Sequence, residues 1–131
     1  MEIENLQKKL KLNQVKKALV LNLPKDFEEL YTGLSIQENF ESNTFAEIEF
    51  VQVYALSQGK LEKDLLSFKG FHLNSIIFWI SYPKLTGSIR TDMKRETIWH
   101  AFSLIGLEAI SQISMDTTWT ALRAKPIVNN F

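Results

Sequence analysis

The run Ile76-Ile77-Phe78-Trp79-Ile80 constrains this chain more than any other feature. A strand with one solvated face carries a polar residue at every second position. A short branched and aromatic run with none predicts a central strand covered on both sides. Ala18-Leu19-Val20-Leu21 has the same character, and Phe50-Val51-Gln52-Val53-Tyr54-Ala55-Leu56 nearly so. Three such strands predict a mainly parallel sheet between layers of helix.

The intervening segments agree. After Leu56, the residues Leu61, Leu65 and Phe68 stand four and three apart, which draws one apolar stripe along a helix. Lys60, Glu62, Lys63 and Asp64 then face water. Ser57 is placed to cap that helix and Gly70 to stop it, giving a βαβ unit with the strand at 76–80. Farther on, Thr91-Asp92 is expected to cap a second helix, with Glu96 in its first turn. Met93, Ile98, Phe102 and Ile105 would lie inward, and Gly106 would end it. Ala109–Met115 and Thr118–Ala124, joined by Asp116-Thr117, predict an antiparallel hairpin. In its first strand Ala109, Ser111, Ile113 and Met115 alternate with more polar neighbours, as suits a sheet edge. Nearer the N-terminus, Glu2–Leu12 reads as a short amphipathic helix and Asp26–Tyr31 as a helical turn. Ile36–Asn43 reads as either an edge strand or a loop. Pro126 ends regular structure before a short tail. With no repeat or linker in sight, residues 1–131 are expected to form one α/β domain.

Charge and cysteine usage exclude whole classes of function. Fifteen Lys and Arg balance 15 Asp and Glu, so the electrostatic case for nucleic-acid binding is absent. No cysteine is present, which excludes a thiol nucleophile, a Cys-ligated zinc and an iron–sulfur cluster. The start Met1-Glu2-Ile3-Glu4-Asn5-Leu6 has neither the basic opening nor the apolar run of a signal peptide. The longest apolar stretch, five residues, is far below the roughly 20 that span a bilayer. A cytoplasmic location away from membranes is the expectation.

Ligands of open α/β sheets sit outside the carboxyl ends of the strands. That rule selects Leu23-Pro24-Lys25, Leu56-Ser57-Gln58, Ser81-Tyr82-Pro83-Lys84 with its extension to Thr91, and Asp116-Thr117. The third loop is long and basic: Lys84, Arg90, Lys94 and Arg95 against Asp92 give a local charge of +3. It also feeds a helix start, where free amides favour an anion. Neither His72 nor His100 is followed by a His, Asp or Glu three or four residues later to make a helical metal pair, and both read as structural or exposed. Trp79 reads as core and Trp99 as lying near the apolar face of its helix. Trp119, beside the expected crevice and on the face of Arg123, reads as either core filler or a stacking wall for a flat ligand. No Gly-x-Ser-x-Gly elbow and no glycine-rich phosphate loop are present.

Trp79-Ile80-Ser81-Tyr82-Pro83-Lys84, Thr91-Asp92-Met93-Lys94-Arg95 and Asp116-Thr117-Thr118-Trp119-Thr120-Ala121-Leu122-Arg123 together resemble the signature of a small bacterial family of proteins of unknown function. The similarity runs from about Leu10 to Arg123, and the last two motifs are the specific ones. The chain departs from the family pattern at Pro24-Lys25-Asp26-Phe27, where the family often has Pro-acid-Gly-aromatic. It also departs at Thr117 and Thr120, where an acidic residue and Ser are frequent. The resemblance implies the fold of a cut-down Rossmann-type methyltransferase, ending in a helix–strand–strand hairpin. In such enzymes the cofactor relies on a glycine-rich turn after strand one and an acidic end to strand two. This chain offers Leu23-Pro24-Lys25 for the first and Glu38 or Glu41 for the second.

The expected function is a non-catalytic binding or interaction module without a cofactor or metal. Its expected crevice is lined by Tyr82, Lys84, Arg90, Thr91, Asp92, Arg95, Trp119 and Arg123. Lys84 and Arg95 would attract an anionic group, Thr91 and Asp92 would fix the helix start, and Trp119 would give an apolar wall. Arg123 would be either a ligand contact or a partner of Asp92 or Asp116. The partner is a small anionic ligand or another protein, and self-association through a strand edge is a third reading. The alternative function is an atypical S-adenosylmethionine-dependent, methyltransferase-like enzyme.

Overall fold

A computed structural model describes residues 2–128; of the expected tail beyond Pro126, residues 129–131 lie outside the described residues, as does Met1. The apolar run becomes β4, Ile77–Pro83, in which every residue from Phe78 to Pro83 is buried. It is flanked by β3, Phe50–Tyr54, in parallel and by β6, Trp119–Pro126, antiparallel. β1, Lys17–Leu21, pairs with β3 and with the short edge strand β2, Ser35–Gln37, both in parallel. β5, Leu107–Ser114, forms the opposite edge, so the six strands run β2-β1-β3-β4-β6-β5. The sheet is α/β and Rossmann-like: mainly parallel, with an antiparallel C-terminal pair. Of the two options for Ile36–Asn43, a strand of three residues forms and the rest is loop.

Two apolar layers cover the sheet. On one face Leu61 and Leu65 of α2, Gln58–Leu65, and Ile98, Ala101 and Phe102 of α3, Arg95–Ser103, pack with Val51, Val53, Phe78 and Ile80. On the other, Leu6 and Leu10 of α1, Ile3–Leu10, join Phe27, Leu30 and Tyr31 of a 3₁₀ segment, Lys25–Tyr31. They cover Val20, Phe50, Tyr54 and Trp79. Trp79 is 1% exposed, and its indole N–H donates to the carbonyl of Leu10 at 3.0 Å. Burying an indole is tolerable only when that N–H finds an acceptor, and the end of α1 supplies one.

Two local expectations are corrected. α3 starts at Arg95, three residues beyond Asp92. Thr97 Oγ1 holds its start, accepting from the Lys94 amide at 3.0 Å and donating to the Lys94 carbonyl at 2.9 Å. Asp92 instead accepts from the Gln58 amide at 3.0 Å, and so caps α2, the neighbouring helix, together with Ser57. The alternation in β5 is also broken. A β-bulge between Ala109 and Ser111 turns Ile110 outward and shifts the register by one. Leu107 and Ala109 therefore face the α2–α3 layer, whereas Ile113 and Met115 face the α1 layer.

Candidate functional site

The chain leaves β1 toward β2 on one side and returns to β3 on the other, so the gap between β1 and β3 is the topological switch point. Open α/β sheets hold ligands there. In this chain it is closed by its own side chains. Asn22 takes the left-handed conformation, φ 60°, a role in which Asn is one of the few tolerated substitutes for Gly. Its Nδ2 donates to the Tyr54 carbonyl at 3.1 Å and to Asp64 Oδ2 at 2.9 Å, tying β1 to β3 and α2. Leu23 packs into the α1-side core, and Pro24 leads into the 3₁₀ segment without an amide to offer a ligand.

An open cleft of about 560 Å³ lies farther along the same end of the sheet. It forms where the loop after β4 and the start of α3 meet the β5–β6 pair. Tyr82, Lys84, Leu85, Lys94, Arg95 and Thr120 are among its lining residues, which include three cations and no carboxylate or imidazole. Of the expected site residues, the structure brings together Tyr82, Lys84 and Arg95. Lys94, which the sequence reading counted only toward loop charge, joins them.

The Tyr82 residue is 5% exposed, and its hydroxyl makes no hydrogen bond among the described residues and is not sealed from solvent. Burial raises its pKa, the Arg95 charge pulls it back down, and Glu96 pushes it up, so the phenol remains a donor at neutral pH. Lys84 Nζ donates to Ser114 Oγ at 2.7 Å and to the Asp116 carbonyl at 2.6 Å. The ammonium pins the loop after β4 onto the β5–β6 turn and leaves one N–H without an acceptor among the described residues. Arg95 lies over the indole of Trp99, with 5.2 Å to the ring centroid.

The other expected residues lie outside the cleft lining. Arg90 is exposed on the loop. Thr91 Oγ1 donates to the Leu56 carbonyl at 3.2 Å and accepts from the Met93 amide, so it shapes the loop, while Asp92 caps α2. Trp119 is 7% exposed and stacks edge-on with Phe27 and Tyr54 in the α1-side core, which is the filler role. Arg123 pairs in register with Trp79 near the middle of β4, well short of its carboxyl end. Neither expected partner reaches it. Asp92 is bonded to α2, and Asp116 Oδ1 accepts the amides of Thr118 and Trp119. Its Nε is buried without a partner among the described residues. The accessible indole is Trp99, 48% exposed on the outer side of α3, against the expectation that it lies near the apolar face.

One polar cluster escaped the sequence reading. Gln52, fully buried in β3, accepts from the Tyr31 hydroxyl and donates through Nε2 to Ser81 Oγ at 2.8 Å. Tyr54 joins through its hydroxyl, 2.6 Å from that of Tyr31. Burial, above all, raises both tyrosine pKa values. The network satisfies itself inside the core, and its signal was a single amide in an otherwise apolar strand.

No family model and no curated protein matches the chain. Solved structures do share its fold. One is a protein in the NADB-Rossmann superfamily from Streptococcus agalactiae, with TM-score 0.53 and 11% identity over 98% of this chain and 70% of that one. Another is LepI, as a variant in complex with SAH and a substrate analogue, with TM-score 0.55 and 9% identity over 95% of this chain. LepI in complex with SAM gives TM-score 0.50 and 10% identity. The chain spans about two-fifths of the length of LepI, at 39% and 40% in the two structures. The fold is thus of the Rossmann, methyltransferase-like kind expected. At this identity the likeness carries the fold alone. Among the described residues no helix is long and apolar enough to cross a membrane.

Proposed function

We propose that the chain is a non-catalytic binding module that takes a small anionic ligand in the cleft of Tyr82, Lys84, Lys94 and Arg95. The observation that carries this reading is the convergence of three cations and the unpartnered hydroxyl of Tyr82 on a cleft without a carboxylate. A cleft of about 560 Å³ falls within the range of small-molecule sites, roughly 300–1,000 Å³.

Thermal melting in phosphate and in chloride at matched ionic strength tests the reading. An anion at 100 times its dissociation constant adds about 2.7 kcal/mol by linkage. Phosphate also stabilises by exclusion from protein surfaces, so the comparison is between the native protein and a Lys94→Ala, Arg95→Ala double variant in the same buffers. The native protein should gain the extra increment and the variant lose it. Equal responses would remove the anion site.

The solved structures with SAM and SAH favour a second reading, an atypical S-adenosylmethionine-dependent enzyme. The residues at the switch point fit that cofactor poorly. Asn22 bridges the gap a backbone approach would need, and Pro24 withholds an amide. Calorimetric titration with S-adenosylmethionine and its demethylated product separates the readings. A dissociation constant below about 10 μM, roughly −7 kcal/mol, would establish the second and displace the first.

A further inference from the structure

The cleft does not end at its cations. Arg95 lines both it and an adjoining groove of about 260 Å³, whose other walls are Glu96 and Trp99. Arg95 and Trp99 are four apart in α3, one turn and about 6 Å along the same face of the helix. The Trp99 residue is 48% exposed, although the Arg95 guanidinium lies over its ring at 5.2 Å. The other two tryptophans are buried in the core. Next to the guanidinium, Tyr82 presents a hydroxyl with no partner among the described residues, and Lys84 keeps one free N–H. An anion could therefore meet Tyr82, Lys84 and Lys94 at one end of Arg95, while a planar group one helical turn away meets Trp99.

We infer that the ligand of this cleft joins a phosphate-type anion to a planar aromatic ring, as a mononucleotide does, with the ring stacked on Trp99. The inference rests on the anion-binding reading above and goes beyond it by naming the ligand's second half. The anion fixes one end through charge-assisted hydrogen bonds. Stacking on an indole is tolerant of ring identity, so the cleft selects a class of molecule and not one base. Leu85, 67% exposed, also lines the cleft.

The test is a titration of the full chain with AMP, ribose 5-phosphate and inorganic phosphate, followed by tryptophan fluorescence and by calorimetry. Trp99 is the exposed reporter. AMP should quench its emission and bind about tenfold more tightly than ribose 5-phosphate, the increment a single base stack supplies. Trp99→Leu should erase that advantage while leaving ribose 5-phosphate binding as it was, which also shows that the variant is folded. Trp99→Phe should restore part of it. Ribose 5-phosphate binding without any advantage for AMP overturns the inference and leaves the anion site standing. An AMP advantage that survives Trp99→Leu also overturns it, by placing the ring elsewhere, for example at the switch point. Failure of all three phosphates to bind removes both the inference and the reading on which it rests.

Discussion

Two places at the carboxyl end of this sheet invite comparison, the switch point between β1 and β3 and the cleft beside β4, α3 and β5. At the first, Asn22, Leu23 and Pro24 consume each other's surroundings: the amide of Asn22 reaches Tyr54 and Asp64, and Leu23 fills core. At the second, three cations and a phenol converge without a carboxylate to answer them. The same fold supplies both places. Which one stays open is decided by a few side chains, because a polar group with a partner inside the protein has little left for a ligand, whereas an unpartnered one gains by finding an external partner.

The largest effect is expected beneath the closed side. Trp79 lies in the α1-side core, and Trp79→Ala should cost about 3–5 kcal/mol through the cavity and the lost bond to Leu10. A urea midpoint that barely moves would mean that β4 is not central and that the switch-point side is not tightly packed. Next comes Asn22→Ala, which removes both bridges and leaves a non-glycine residue at positive φ; about 1–2 kcal/mol is expected from urea unfolding. Asn22→Gly relieves the φ cost and opens the gap, so it should cost less. If it also created tight S-adenosylmethionine binding, Asn22 alone would be what closes the switch point.

Alkaline pH should act on the closed side as well. Tyr31 and Tyr54 have pKa values raised by burial, so the folded state retains their protons after the unfolded chain has begun to lose them near pH 10. Their contribution to stability is fully present below about pH 10 and declines as pH rises toward the folded values. Melting temperatures from pH 8 to 11 for the native protein and for a Tyr31→Phe variant measure this, and the native protein should show the steeper fall. Parallel curves would show that the network in the core does not govern the alkaline limb. The smallest effect belongs to the open side. Arg95→Ala in chloride should change stability within about 0.5 kcal/mol, since the side chain touches solvent and one indole.

The sheet was legible because β4 admits only one burial pattern: Ile76–Ile80 has no polar position to turn toward water. The loops were less so. Asp92 has the sequence setting of an N-cap, and it is one, but for α2, thirty-four residues back along the chain. Nothing local distinguishes those two amide targets. The tryptophans show the same limit. Trp99 follows Ile98 by one helical step, about 100° around the axis, which carries it off the buried stripe. Trp119 sits at the expected crevice in sequence but faces Phe27 and Tyr54, a layer the sequence reading left sparse. The bulge at Ile110 flips half of β5, and an alternation read straight through it assigns Ile113 and Met115 to the face of Ala109. Of the site, the basic character of the loop after β4 was readable. The pinning of Lys84 by Ser114 and Asp116 was not, because it depends on the fold of a distant hairpin.

The most direct test of the contrast between the two places is a backbone amide NMR titration of the native protein with phosphate at constant ionic strength. Saturable shift changes should cluster at Tyr82, Lys84, Lys94, Arg95 and Glu96, with Asn22, Leu23 and Ala55–Gln58 unmoved. Shift changes that cluster instead at Asn22, Leu23 and Ala55–Gln58 would place the binding site at the switch point and contradict its closure by the Asn22 bridge.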